Sequence, residues 1–182
     1  VIGVAVNAVV LAPLHLTQPR QRVRALTRQT AELLEAMAQG LRGDWDEEVA
    51  GRWHRFADEI AERAPPVLDD VRTGRESTRF NPRHDLRPAD IDWLGYERTV
   101  ETVRRTQWQV SGIARTLVDA ADEAEAQPVP SKLFLERYAG ALEEIGAAVD
   151  HFGLRSEEEQ GQVEQHIRKA IATLDQLGVE VR

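Results

Sequence analysis

Over most of this chain the apolar positions recur at intervals of three and four, the spacing that lines one face of an α-helix. From Val23 the row runs through Leu26, Leu33, Leu34, Met37 and Leu41, with Thr17 placed as an N-cap, Pro19 in the first turn, and Gly40 and Gly43 as the stop. A second helix opens at Asp44, where Asp44 and Glu47 have capping-box spacing, and its face is Trp45, Val49, Trp53, Phe56 and Ile60. Pro65 and Pro66 predict a kink rather than an end, because Val67, Leu68 and Val71 continue in phase. Gly74 to Asp90 holds no periodicity and reads as the main loop. A long third helix is expected from about Asp90 to Ala126, faced by Tyr96, Val100, Val103, Val110, Leu117 and Ala121 with Trp93, Trp108 and Ile113 beside them, and stopped by Pro128 and Pro130. Ser131 caps a fourth, faced by Phe134, Tyr138, Leu142, Ile145, Val149 and Phe152. Ser156 and Glu159 open a fifth, with Val163, Ile167, Ala170, Ile171, Leu174 and Leu177 facing inward. No strand pattern or solenoid period appears, so the fold class is all-α: an antiparallel bundle of about five helices.

The first sixteen residues, Val1 to Leu16, are of another kind: VIGVAVNAVVLAPLHL carries no acidic, lysine or arginine residue. Sixteen helical residues reach roughly 24 Å, short of the roughly 20 apolar residues a full membrane span needs. The segment therefore reads as the end of a transmembrane helix, and the chain, which begins with Val, as a piece of a longer protein. A signal peptide would place its basic residues first; here they follow, as Arg20, Arg22, Arg24 and Arg28, before the first acidic residue, Glu32. Arginines in that position stay on the cytoplasmic side and are drawn to anionic headgroups by about 1 kcal/mol each. The expected division is thus 1–16 as the end of a membrane helix and 17–182 as a cytoplasmic helical domain on the inner membrane, with lipid headgroups contacted by Arg20, Arg22, Arg24 and Arg28. The competing reading is a buried N-terminal helix followed by a solvated charged one.

A chain of 182 residues can bury a single substantial core. Its net charge of -8 and pI near 5.2 exclude nucleic acid as the expected partner, since phosphate binding needs a clustered cationic surface. The absence of cysteine removes disulfides, thiolate metal sites and a thiol nucleophile.

No catalytic signature emerges, and neither a cofactor nor an enzymatic activity is expected. His15, His54, His84, His151 and His166 include no pair at i, i+4, so zinc-ligand spacing is missing. The carboxylate pairs Glu47–Glu48, Asp69–Asp70 and Glu143–Glu144 are helix neighbours whose members point to different faces. The Glu157–Glu159 run fits a helix's first turn, where negative charge meets the positive dipole end. The four tryptophans are expected as core or helix-interface anchors. Arg79, Phe80, Asn81 and Arg83 form a proline-fixed loop that either pins helix ends together or receives an anion or partner.

The apolar VNAVVLAPLHL, the arginine-bearing turn after it and the MAQGLRGDW that follows together resemble the bacterial aromatic acid exporter family, related to the fusaric-acid-resistance-like membrane proteins. The RESTRFNPR of Arg75 to Arg83 is similar to the connecting loop of their cytoplasmic region. The resemblance implies a multi-pass inner-membrane exporter of aromatic carboxylic acids, of which this chain is the cytoplasmic tail, in an assembly or regulatory role. It also implies partners in other copies of the chain or other parts of the same transporter. It carries over no transport residue, because the substrate path would lie in the membrane helices. The alternative is a soluble helical interaction or regulatory module with no part in transport.

Overall fold

A computed structural model describes residues 14–79, 92–122, 130–152 and 157–180. They form five α-helices: α1 (Leu14–Arg42), α2 (Glu47–Arg79), α3 (Trp93–Asp122), α4 (Lys132–Phe152) and α5 (Glu157–Glu180). Among the described residues there is no strand. None of their helices is long and apolar enough to cross a membrane, and Val1–Pro13, most of the uncharged segment, lie outside them.

Consecutive helices run antiparallel, and α1 holds the centre, touching α2, α3 and α4. Its core face supplies Val23, Leu26, Leu33, Leu34, Met37, Ala38 and Leu41, all buried. Ala50, Ala57, Ile60 and Ala64 of α2 and Val100, Val103, Val110 and Ala114 of α3 close the core opposite. Small side chains there bring the helix axes close; Gly146 of α4 serves the same end, since a Cβ on it would stand 3.4 Å from both the Ala31 carbonyl and the Leu34 Cβ. Helix α4 lies on α1, and α5 rests on α4, so the fifth helix is an outer layer rather than a member of a closed ring.

Several helix ends differ from those the sequence predicts. Helix α1 is already helical at Leu14, so Thr17 does not cap it, and Pro19 sits buried inside it. Gly40 is not the stop either: α1 continues to Arg42, and Gly40 is the seat of the Trp53 ring. Helix α2 is capped by Asp46, whose Oδ1 accepts the Val49 N–H at 2.8 Å, two residues beyond the predicted Asp44. It passes through Pro65 and Pro66, both exposed, where water can take up the carbonyls the prolines leave free. It also passes through Gly74, the expected start of the loop, because the Trp93 ring packs on that glycine and needs the helix to continue. Asp92 caps α3 through the Gly95 N–H at 2.8 Å, and Ser131 caps α4 through the Phe134 N–H at 3.1 Å, the latter as predicted. The Ser156 cap lies outside the described residues.

Two apolar assignments are overturned. Trp108 is 79% exposed on the outer side of α3, so it anchors nothing in the core, whereas Trp53 and Trp93 are buried and Trp45 is half-buried at 6.2 Å from the Trp53 ring. On α5, Ala170 and Leu177 are buried, but Ile167, Ile171 and Leu174 face outward, because α5 packs on α4 and that contact covers only one edge of its apolar face.

Candidate functional site

The arginines after the uncharged segment belong to the first turns of α1. At 100° per residue Arg20, Arg24 and Arg28 share one face, four residues apart, and all three are exposed. Arg22 points to another side and pairs with Asp70 of α2. Arg28 Nε bonds Glu32 Oε1 at 2.8 Å. Arg20 and Arg24 make no ion pair among the described residues, which leaves them as the cations nearest the apolar end, roughly 6 and 12 Å along the axis from Leu16, with Arg28 at roughly 18 Å. The predicted group of four is therefore two free charges and two occupied ones. Of the second predicted site, Arg79 ends α2, while its side chain and Phe80, Asn81 and Arg83 lie outside the described residues.

Beside the arginine face, a depression of about 560 Å³ runs between α1 and α4, lined by Arg24, Arg28, Glu32, Glu35, Glu143 and Asp150. Its carboxylates outnumber its arginines, so it is not an anion site. Glu143 is already engaged by Arg42, which grips it with both terminal guanidinium nitrogens, Nη2 to Oε2 at 2.7 Å. That hydrogen bond holds the Glu143 carboxyl below the usual carboxylate range and pushes Arg42 up.

At the far end of α2, Arg72 and Arg75 converge on Glu97 of α3, each at 2.8 Å, and Arg72 also approaches Glu101 at 3.6 Å. The Arg72 hydrogen bond, with Arg75 beside it, keeps the Glu97 carboxyl below its ordinary value against the opposing effect of desolvation. This cluster fixes α3 to α2.

The histidines give the clearest case of what spacing alone could not show. His151 of α4 and His166 of α5 stack with ring centroids 5.7 Å apart and planes 10° from parallel. His166 Nδ1 lies 2.5 Å from Glu144 Oε2, and Lys169 Nζ 3.6 Å from Glu144 Oε1. Glu144 and His151 are seven residues apart, hence two turns along one side of α4, and the antiparallel return of α5 slots His166 between them. The neighbouring carboxylates separate as their spacing implies: Glu143 serves α1 and Glu144 serves α5. Among the described residues no group of three or more His, Cys, Asp or Glu is placed to hold a metal. The cluster's visible work is to tie α5 down.

Compared with protein-family models, with curated proteins and with solved structures, the chain matches none.

Proposed function

We propose that this chain is the cytoplasmic helical domain of a multi-pass inner-membrane transporter, an exporter of aromatic carboxylic acids, and that it serves assembly or regulation rather than chemistry. One observation supports the membrane attachment most strongly. Leu14–Leu16, the end of the uncharged segment, lies in the same unbroken helix as Arg20 and Arg24, two exposed cations that make no ion pair among the described residues. A helix leaving a bilayer at Leu16 carries Arg20 and Arg24, roughly 6 and 12 Å out, into and just past the headgroup region, nearer the anionic surface than Arg28 at roughly 18 Å, whose attraction is the most strongly screened at a Debye length of about 8 Å. The exporter assignment rests on the likeness of the VNAVVLAPLHL and RESTRFNPR segments to that family.

The test is flotation of the chain with vesicles of phosphatidylglycerol or of phosphatidylcholine. With about 1 kcal/mol from each arginine, replacing both (Arg20→Gln, Arg24→Gln) lowers partition onto the anionic vesicles about 30-fold, and raising salt erases the difference. Arg52→Gln with Arg63→Gln, on the outer side of α2, leaves partition unchanged. Binding that ignores headgroup charge, or that responds equally to both pairs of substitutions, overturns the assignment of these arginines to the membrane surface.

A further inference from the structure

Helix α5 offers the molecule only one edge of its apolar face. Ala170 and Leu177 are buried, Val163 is half-buried, and the helix rests on α4. Ile167, Ile171 and Leu174 are left 44%, 52% and 38% exposed. Spaced by four and three, they fall within an arc of about 60° and form one apolar row. It begins a turn beyond Val163 and Glu164, where a depression of about 430 Å³ separates α5 from the start of α3.

The charges beside the row decide what can cover it. Arg168 and Asp175 lie on the same flank, three residues before and four residues after Ile171. Arg168 bonds Glu164 at 3.0 Å in an exposed intrahelical pair, of the kind worth a few tenths of a kcal/mol, and is free to exchange it. Asp175 makes no ion pair among the described residues. Arg168 and Asp175 stand at nearly equal distances on either side of Ile171, so they meet when the row is reversed, while Glu164, on the same flank seven residues before Ile171, falls level with the uncharged Gly178. An acidic partner would meet Glu164 and Asp175 unfavourably and a basic one Arg168.

We propose that this row is a self-association surface, on which α5 pairs antiparallel with α5 of a second copy about a two-fold axis beside Ile171. Ile171 then faces its own counterpart, and Ile167 and Leu174 interdigitate on either side. The two-fold keeps like flanks on the same side of the seam, so Arg168 lies level with Asp175 of the partner subunit and the converse pair forms by symmetry. The contact is isologous and therefore closes at a dimer. One helix pair falls at or below the roughly 1,200 Å² of a standard interface, which makes this a reversible association. The inference is independent of the membrane reading.

The chain holds no cysteine, so a single substitution supplies a unique thiol. Ile171→Cys places two thiols across the axis, within the Cα separation of about 7 Å that a disulfide tolerates, and it cross-links under mild oxidation. Trp108→Cys, likewise solvent-accessible on the outer face of α3, does not. In the Ile171→Cys background, Arg168→Asp or Asp175→Arg alone sets like charges together twice and slows cross-linking about tenfold, and the two combined restore it. Circular dichroism of each variant verifies that these exposed substitutions leave the helices intact. Equal cross-linking of the Ile171→Cys and Trp108→Cys variants would show association through some other surface; that result, no cross-linking at all, or a double charge variant no faster than the single ones overturns the proposal.

Discussion

Gly74→Ala provides the sharpest test of how these helices are held. A glycine inside an exposed helix costs about 1 kcal/mol relative to alanine, so propensity alone expects this substitution to stabilise the protein. At Gly74, however, an added Cβ would stand 2.6 Å from both Cη2 and Cζ3 of Trp93, against the roughly 3.5–4.0 Å at which carbon atoms rest in contact. Trp93 is buried against Tyr96 at a ring separation of 6.4 Å, and it cannot yield without moving the start of α3. Overpacking of this kind costs about 1–3 kcal/mol, so after the propensity gain is subtracted the net loss is about 0–2 kcal/mol. For a domain of this size the thermal midpoint should stay level or fall, by up to roughly 8 °C. Gly112→Ala, where an added Cβ meets nothing within 4 Å, is the matched control and should raise the midpoint by roughly 2–4 °C. Melts followed by circular dichroism decide the matter. In a Trp93→Leu background Gly74→Ala should become favourable, the sign of a direct coupling. If Gly74→Ala stabilises the unmodified protein as Gly112→Ala does, the ring is not seated on Gly74 and the α2–α3 packing is wrong.

Further expectations concern the core and the charges. Met37→Ala, at a fully buried site on the central helix, should cost about 2–5 kcal/mol in urea denaturation; a loss below about 1 kcal/mol would place Met37 outside the core. Gln107 is buried, gives its Nε2 proton to the Ala57 carbonyl at 3.1 Å, and has an Oε1 with no partner among the described residues, so Gln107→Met should be neutral or stabilising, and a large loss would show that this oxygen is satisfied. Glu97 and Glu143 both have carboxyls depressed by arginine hydrogen bonds, so the stability they add is complete above the ordinary carboxylate value of about 4.3 and is lost as pH falls below it through their lowered values. The urea midpoint should therefore decline below about pH 4.3, and less steeply in Glu97→Gln; an identical decline in that variant would remove Glu97 from the account.

The sequence carried the five helices and most of their core faces because three-and-four spacing reports burial against neighbours directly. It misplaced their ends where tertiary contacts override local signals. Gly40 and Gly74 look like stops, yet each is kept inside a helix by a tryptophan arriving from another element. Spacing favours Asp44, which has Glu47 as a capping-box partner where Asp46 has Val49, and the choice of Asp46 is visible only in the bond to the Val49 N–H. Trp108 and the Ile167, Ile171, Leu174 row read as inward because a period shows that a face is apolar, not whether a neighbour is present to cover it. The Glu144, His151 and His166 cluster escaped for a related reason: its members come from two helices, and their proximity depends on the register of the α4–α5 hairpin. Its trace in the sequence was the seven-residue separation of Glu144 and His151.

The proposed placement of these helices on the cytoplasmic side of the inner membrane is tested most directly by a topology reporter joined after Arg182 in the full-length protein. A fluorescent protein, which matures only in the cytoplasm, should be bright there, and a periplasm-dependent phosphatase at the same junction should be silent. A silent fluorescent protein with an active phosphatase would contradict both the orientation and the transporter assignment built on it.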